Sequence, residues 1–249
     1  MKTFGLIGYP LGHSFSKKFF TEKFEKDGLT DYQYLNFEID TIEKFPEILQ
    51  SEFNICGLNC TIPYKQQVMN YLSEIDEEAA IVGAVNTIKV INTPSGIKLK
   101  GYNTDVIGFE RSIKPMLNEK HNSALICGTG GASKAIKFIL EKLGIRYLSA
   151  SIEAELFDNE IRYSDIGRKL IEESLVIINA TPLGTFPRTN NCPDIPYEHI
   201  TKDHVLFDLV YNPEVTLFMK KGIEKGANTK NGLEMLHGQA IAAWEIWNI

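Results

Sequence analysis

No run of apolar residues in this chain approaches the ~20 that a helix needs to span a bilayer, so a membrane is not an expected partner. Basic side chains are also in short supply. Lys and Arg together number 26 against 32 Asp and Glu, leaving a net charge of −6. No basic stripe is present to neutralise a phosphate backbone, which sets nucleic acid aside as a partner. Cysteine occurs only four times, at Cys56, Cys60, Cys127 and Cys192. Cys56 and Cys60 stand close together, but no second Cys/His pair completes a zinc pattern, and no set of His, Cys and carboxylates suggests another metal. The cysteines therefore read as reduced thiols of a cytoplasmic protein. Short-period repeats and low-complexity tracts are missing too, which excludes solenoids and long linkers. The opening MKTFGLIGYPLGHS carries only a short apolar run before Gly, Tyr and Pro and does not read as a secretory leader.

What the 249 residues do contain is a regular alternation of two hydrophobic periods, in a chain long enough for one large domain or two modest ones. FGLIG (4–8) reads as a buried strand, and SKKFFTEKFEKDG (16–28) as a helix with Phe19, Phe20 and Phe24 on one face and Gly28 as its stop. YQYLNFEI (32–39) is a strand, TIEKFPEILQ (41–50) a helix and FNICGLNC (53–60) a strand. This β-α-β-α-β order predicts a largely parallel sheet. NTIKVIN (86–92) and GIKLKGYN (96–103) flank TPS and predict a hairpin. A helix over 105–117 and the polar break NEKHNS (118–123) follow, and a second α/β series then begins at ALICG. Its strands are ALICG, RYLSAS, LVIINA and HVLFDLV, and its helices GASKAIKFILEKLG, DIGRKLIEES and EVTLFMKKGIEKG. The last helix places Leu233, Leu236, Ala240, Trp244 and Trp247 at helical spacing. The predicted class is α/β with two domains: an N-terminal α/β domain with a mostly parallel sheet, and a Rossmann-like nucleotide-binding domain.

ALICGTGGASKAI (124–136) runs from strand through glycines into helix. Gly128, Gly130 and Gly131 let the backbone approach a pyrophosphate, and a helix starting near Ala132 offers its N-terminal amides and dipole. Ser133 stands where the third glycine of the dinucleotide fingerprint falls, and its small side chain still permits close helix–strand packing. A plain βα turn with spare glycines is the alternative. About 20 residues on, where an acidic residue recognises a ribose 2′-hydroxyl or an Arg a 2′-phosphate, the chain reads YLSASIEAELF. Ser149 and Ser151 close the strand, Glu153 and Glu155 follow, and no Arg is present, so the residues leave the cofactor open at this position.

Polar groups gather at the predicted strand ends of the first half. GYPLGHSFS brings Ser14 and Ser16 to a strand-to-helix turn, where one serine suffices as a helix cap. GLNCTIPYKQQV places Thr61, Pro63 and Lys65 in one turn, GAVNT places Asn86 at a strand start, and GYNTD places Asn103 and Asp105 before a helix. Taken singly, Asp105 is an N-cap and Lys65 a solvated charge. Taken together, they lie where open α/β sheets bind ligands.

These stretches, with GTGGAS, NATPLG, DLVYNP and NGLEMLHGQA, stand in order along nearly the whole chain, and the sequence resembles the shikimate dehydrogenase family. The resemblance implies a substrate domain over 1–104 completed by the C-terminal helix 232–249, and an NADP-binding domain over 105–231. It implies reversible NADPH-dependent reduction of 3-dehydroshikimate to shikimate on the route to chorismate and the aromatic amino acids. Lys65 and Asp105 are then the catalytic pair. Ser14, Ser16, Thr61, Asn86 and Gln239, with Asp105, hold the substrate carboxylate and hydroxyls, and Tyr211 lies near substrate and nicotinamide. Thr181 in NATPLG, Leu209 and Gly232 line the nicotinamide side, and Ser149 and Ser151 fall to the adenosine ribose. The small-molecule substrate is the expected partner, the assembly a monomer or homodimer. Quinate-using relatives tend to carry Thr where this chain has Ser16. The rival readings are a quinate/shikimate dehydrogenase with relaxed NAD/NADP use and a catalytically silent ligand-binding relative.

The family usually carries an Arg-containing run after the second nucleotide-domain strand, and SASIEAE replaces it. Serines without a cation hold a phosphate less firmly, which predicts a weakened preference for NADP and accessory use of NAD. For the chemistry, a ring ketone needs a hydride on carbon and a proton on oxygen. A protonated Lys65 suits the reduction, and oxidation of shikimate needs its neutral form, so oxidation is expected to speed up at alkaline pH.

Overall fold

The computed structural model describes residues 1–12, 14–51 and 54–248. It divides into two compact units, one of Met1–Thr104 with Gln239–Ile249 and one of Asp105–Gly238. The fold is α/β, with a six-stranded, mostly parallel sheet in each unit.

The first unit contains β1 (Lys2–Gly8), α1 (Phe15–Lys26), β2 (Tyr32–Glu38), α2 (Phe45–Ser51), β3 (Ile55–Cys60), β4 (Glu74–Ile75), α3 (Glu77–Val82), β5 (Thr87–Thr93) and β6 (Gly96–Tyr102). Strand order is β2-β1-β3-β5-β6-β4. β1 pairs in parallel with β2 and β3, and β5 and β6 form the antiparallel hairpin that the flanks of TPS predict. Phe53, where the sequence reading starts the third strand, lies outside the described residues. β1 sits between two neighbours and is buried along nearly its whole length, so its alternating side chains serve two cores. Ile7 joins Phe45, Leu58, Val68 and Ile88 on one face. Phe4 and Leu6 join Phe20, Phe24, Tyr34, Ala240 and Trp247 on the other. The Trp247 indole also donates to the Ile88 carbonyl at 3.0 Å, which fastens the end of the last helix to the hairpin.

The second unit contains most of α4 (Thr104–Ile113), then β7 (Ser123–Cys127), α5 (Gly131–Lys142), β8 (Arg146–Ser151), β9 (Glu160–Arg162), α6 (Arg168–Glu173), β10 (Val176–Asn179), β11 (Val205–Asp208), α7 (Leu217–Ile223) and β12 (Asn228–Lys230). The last helix, α8 (Leu233–Asn248), starts here and ends in the first unit. The order β12-β11-β10-β7-β8-β9, parallel throughout, is the Rossmann order read from its far edge. Four elements are absent from the sequence reading: β4, β9, β12 and α3. The three strands are two or three residues long, too short to show a period. α4 stops at Ile113, and Pro115 lies in a 3-10 turn beyond it, because proline cannot supply the next helical N–H. No Cys pairs with another among the described residues, and no described helix is long and apolar enough to cross a membrane.

Candidate active site

In the first unit, one sheet edge collects the polar residues. The C-terminal ends of β1, β3 and β6 meet the start of β5 there. Thr61 N–H donates to the Ile7 carbonyl at 2.9 Å, Cys60 N–H to the Asn86 carbonyl at 2.8 Å, and Asn86 N–H to the Tyr102 carbonyl at 3.0 Å. Three separated motifs are thereby stitched side by side. Lys65 follows in a turn closed by Tyr64 N–H on the Thr61 carbonyl at 2.9 Å, and Val85 N–H binds the Lys65 carbonyl at 2.7 Å. The Tyr64 hydroxyl anchors that turn to the Ile39 carbonyl at 2.7 Å. Ser14 caps α1, its Oγ accepting from Lys17 N–H at 3.1 Å. A hydroxyl that accepts once still has its own hydrogen to donate. Ser16 lies beside the buried Tyr34 hydroxyl, which donates to Asn59 Oδ1 at 2.8 Å.

Asn86 is 4% exposed, and its amide orientation is fixed by its neighbours. Oδ1 accepts from Thr104 N–H at 2.7 Å and from the Thr87 and Thr104 hydroxyls at 3.1 Å. A backbone N–H can only donate, so the oxygen must face it. Nδ2 therefore points the other way, to Gln239 Oε1 at 3.2 Å. Asn59 Nδ2 braces the same cluster, reaching the Asn86 carbonyl at 3.3 Å and Thr87 Oγ1 at 3.2 Å. Asn59, Thr87 and Thr104 lie within GLNCTIPYKQQV, GAVNT and GYNTD, where the sequence alone does not single them out. Asp105 follows Thr104 directly and is buried, at 6% exposure.

In the second unit, the C-terminal ends of β7, β8 and β10 open onto a cavity of about 610 Å³ lined by Gly128, Gly130, Ala150, Glu153, Tyr163 and Thr181, among others. β7 is the switch point of the strand order, where such sheets bind nucleotides. Gly128 has φ +106, and a side chain there would meet Thr181 Cγ2 at 2.8 Å. Around Gly130 and Gly131, by contrast, space is open. Gly130 is the uncapped N-cap of the twelve-residue α5, whose first amides and dipole suit an anion. Ser133 is buried and donates to the Gly130 carbonyl at 2.6 Å, which tightens the turn. Ala132 is half-buried in the first turn of α5.

The turn carrying Thr181 is set by a buried polar pair. Asn179 Oδ1 accepts from Thr181 N–H at 3.0 Å and its hydroxyl at 2.6 Å. Asn179 Nδ2 donates to the Leu183 carbonyl at 3.2 Å and to Asp208 Oδ1 at 2.9 Å. Asp208, the first residue of DLVYNP but not one that the sequence singles out, has no exposed surface. Burial raises its carboxyl pKa to about 6, against the opposing hydrogen bonds from Thr216, Val210 and Asn179. Leu209 N–H donates to the Asn179 carbonyl at 2.9 Å, and a side chain at Gly232 would collide with the Leu209 carbonyl. Tyr211 follows, 39% exposed. Cys127, beneath the glycine turn, is kept a thiol by burial, its pKa pushed up to about 12.

The adenosine end differs from the expectation in detail. Ser149 is fully buried within β8 and is not among the residues lining the cavity. Ser151 is buried too, its Oγ accepting from Glu153 N–H at 3.2 Å. Ile152 and Glu153 reach the lining instead. The glycine cradle, the open helix start and the cavity fit a dinucleotide.

Comparisons of the sequence and of the fold find known relatives. Residues 6–88 match the shikimate dehydrogenase substrate binding domain. The shikimate dehydrogenase (NADP(+)) of Methanococcus maripaludis strain C7 is 39% identical over 263 aligned residues, covering 99% of this chain and 91% of that protein. The crystal structure of the Aquifex aeolicus shikimate dehydrogenase superposes with a TM-score of 0.85 at 33% identity, over 100% of this chain and 92% of that one. That of the Listeria monocytogenes shikimate 5-dehydrogenase, in complex with shikimate and NAD, gives 0.86 at 29%, over 100% and 92%. With full-length identity of this order to curated relatives, the chain belongs to the shikimate dehydrogenase family.

Proposed function

We propose that the chain interconverts 3-dehydroshikimate and shikimate with NADP(H), in the biosynthesis of chorismate and the aromatic amino acids. Residues 1–104 with the end of the chain from Gln239 form the substrate domain, and Asp105–Gly238 the nucleotide domain. The observation that carries the reading is the Asn86 amide. Its oxygen is saturated by Thr87 and Thr104, so its N–H₂ is directed to Gln239, on the sheet edge that also bears Thr61, with Lys65 in the adjoining turn. An amide pair so constrained, with Asn86 buried and Gln239 half-buried, recognises hydroxyls of one fixed geometry, as on a polyhydroxylated ring.

The substrate carboxylate falls to Ser14 and Ser16. Ser14 has its hydroxyl hydrogen to give, and α1 presents a positive dipole end with no acidic residue in its first turn. Thr61, Asn86, Asp105 and Gln239 take the ring hydroxyls. When bound, NADPH supplies the hydride to the ring carbonyl carbon. Lys65 stands at the carbonyl oxygen, stabilises the developing alkoxide and gives it a proton. Asp105 orients the Lys65 ammonium. Gly128, Gly130, Gly131, Ala132 and Ser133 hold the pyrophosphate, Thr181, Leu209 and Gly232 border the nicotinamide, and Tyr211 contributes to substrate binding. We place the reaction in the cytoplasm, which the four unpaired thiols support.

The test is shikimate oxidation by the parent, Asn86→Ala and Gln239→Ala proteins, followed by nicotinamide absorbance. The parent turns over, and each variant raises KM for shikimate by about tenfold or more. A folded parent that binds shikimate without turning it over would be a silent binding protein, and the proposal would fall.

A further inference from the structure

The second strand of a dinucleotide fold ends where the adenosine ribose is recognised, and β8 ends there without a cation. From Tyr147 to Gly167 the chain carries five acids, Glu153, Glu155, Asp158, Glu160 and Asp165, and a single base, Arg162. We propose that Arg162 holds the adenosine 2′-phosphate, supplying from the edge strand β9 the charge that the end of β8 lacks. The inference rests on the functional reading above and names the residue that sets its choice of dinucleotide.

The geometry follows from an unusual connection. Parallel strands are ordinarily joined by a crossover of a dozen or more residues, usually a helix. Residues 152–159 join β8 to β9 with no helix. The pairing that results sets Arg162 opposite Ser151, the last residue of β8. Arg162 Nη2 donates to the Ala154 carbonyl at 3.1 Å, while Ser151 Oγ accepts from Glu153 N–H at 3.2 Å. The guanidinium is thus laid on the turn whose Ile152 and Glu153 line the cavity, so that it stands beside that lining and not within it.

A guanidinium offers five N–H donors in a rigid fork. The Ala154 carbonyl engages one Nη2 hydrogen and so aims the fork, leaving other donors for paired phosphate oxygens. Two of the acids are already occupied. Glu160 accepts from Lys137 at 3.4 Å and from Phe157 N–H at 3.4 Å. Asp165 accepts from Arg162 N–H at 3.3 Å and from the Ser164 hydroxyl at 3.3 Å. Glu153 and Asp194, both in the cavity lining, are the acids that oppose a 2′-phosphate, and Arg162 is the group that offsets them.

Calorimetric titration of the full chain with NADP⁺, NAD⁺, adenosine 2′,5′-bisphosphate and AMP separates the outcomes. The parent binds the 2′-phosphorylated member of each pair more tightly. Arg162→Gln reduces that preference by about tenfold or more, in both pairs alike, and Arg162→Lys restores part of it. An unchanged preference in Arg162→Gln, or equal weakening of NADP⁺ and NAD⁺, overturns the assignment. So does a parent that binds NAD⁺ as tightly as NADP⁺; if that parent still oxidises shikimate, the functional reading stands and the inference alone fails. Conversely, an Arg162-dependent preference for the 2′-phosphate with no shikimate turnover refutes the functional reading and keeps Arg162.

Discussion

Replacing Asp208 by Asn should remove a pH dependence of stability that the parent carries between about pH 4 and pH 6. The buried carboxylate accepts from Thr216 Oγ1 at 2.5 Å, Val210 N–H at 3.0 Å and Asn179 Nδ2 at 2.9 Å. Those donors favour the charged form, but desolvation outweighs them and raises the carboxyl from 3.8 to about 6. Between these values the folded state binds a proton that the unfolded chain has released. This contribution to stability is therefore fully present below the unfolded value and is lost as pH rises through the folded one. A rise of about two units, at about 1.4 kcal/mol each, amounts to about 3 kcal/mol. The amide of Asp208→Asn keeps an oxygen for Val210 and Asn179 and turns its N–H₂ toward Thr216 Oγ1, which can accept. Urea unfolding of both proteins, followed by far-ultraviolet circular dichroism across this range, cancels every other titrating group in the difference. The variant should gain about 3 kcal/mol on the parent from pH 4 to pH 7. Parallel stability profiles would refute the argument that burial dominates at Asp208.

Three further substitutions test the rest of the site. Lys65→Ala should lower kcat for shikimate oxidation by about a hundredfold to ten-thousandfold while KM stays nearly constant, because the proton is used chiefly in the transition state. A change in KM alone, measured by initial rates, would make Lys65 a binding residue. Gly128→Ala forces a side chain into a φ of +106 against Thr181 Cγ2. It should cost about 1–3 kcal/mol and weaken dinucleotide binding in a calorimeter, whereas unaltered binding would show that the turn does not approach the ligand. Trp247→Phe leaves the Ile88 carbonyl without its 3.0 Å donor and should destabilise the protein by about 1–3 kcal/mol, seen as a lowered Tm. An unchanged Tm would mean that α8 is held by ring packing alone.

The α/β class and its alternation were legible because long buried strands and amphipathic helices print their periods on the sequence. β1 and α5 are examples: the first is buried nearly throughout, and the second buries Ala135, Ile136, Ile139 and Leu140 on one side. β4, β9 and β12 left no such print, since they are edge strands defined by their neighbours rather than by their own residues. Lys65, Asn86 and the glycine turn were legible as polar or glycine residues set against apolar strands. Their supports were not. Thr87 and Thr104 matter because β5 and β6 are neighbours, and Asp208 because β10 and β11 bring it to Asn179. Arg162 was overlooked for the same reason. The end of β8 carries no cation, and Arg162 lies on the strand paired beside it.

The most direct measurement is product analysis by NMR after incubation of the protein with NADP⁺ and either shikimate or quinate. The account predicts 3-dehydroshikimate from shikimate, in step with NADPH formed, and no comparable oxidation of quinate. Oxidation of quinate at a similar rate would contradict the substrate assigned to the Asn86–Gln239 edge, and no product from either acid in a folded protein would contradict the activity itself.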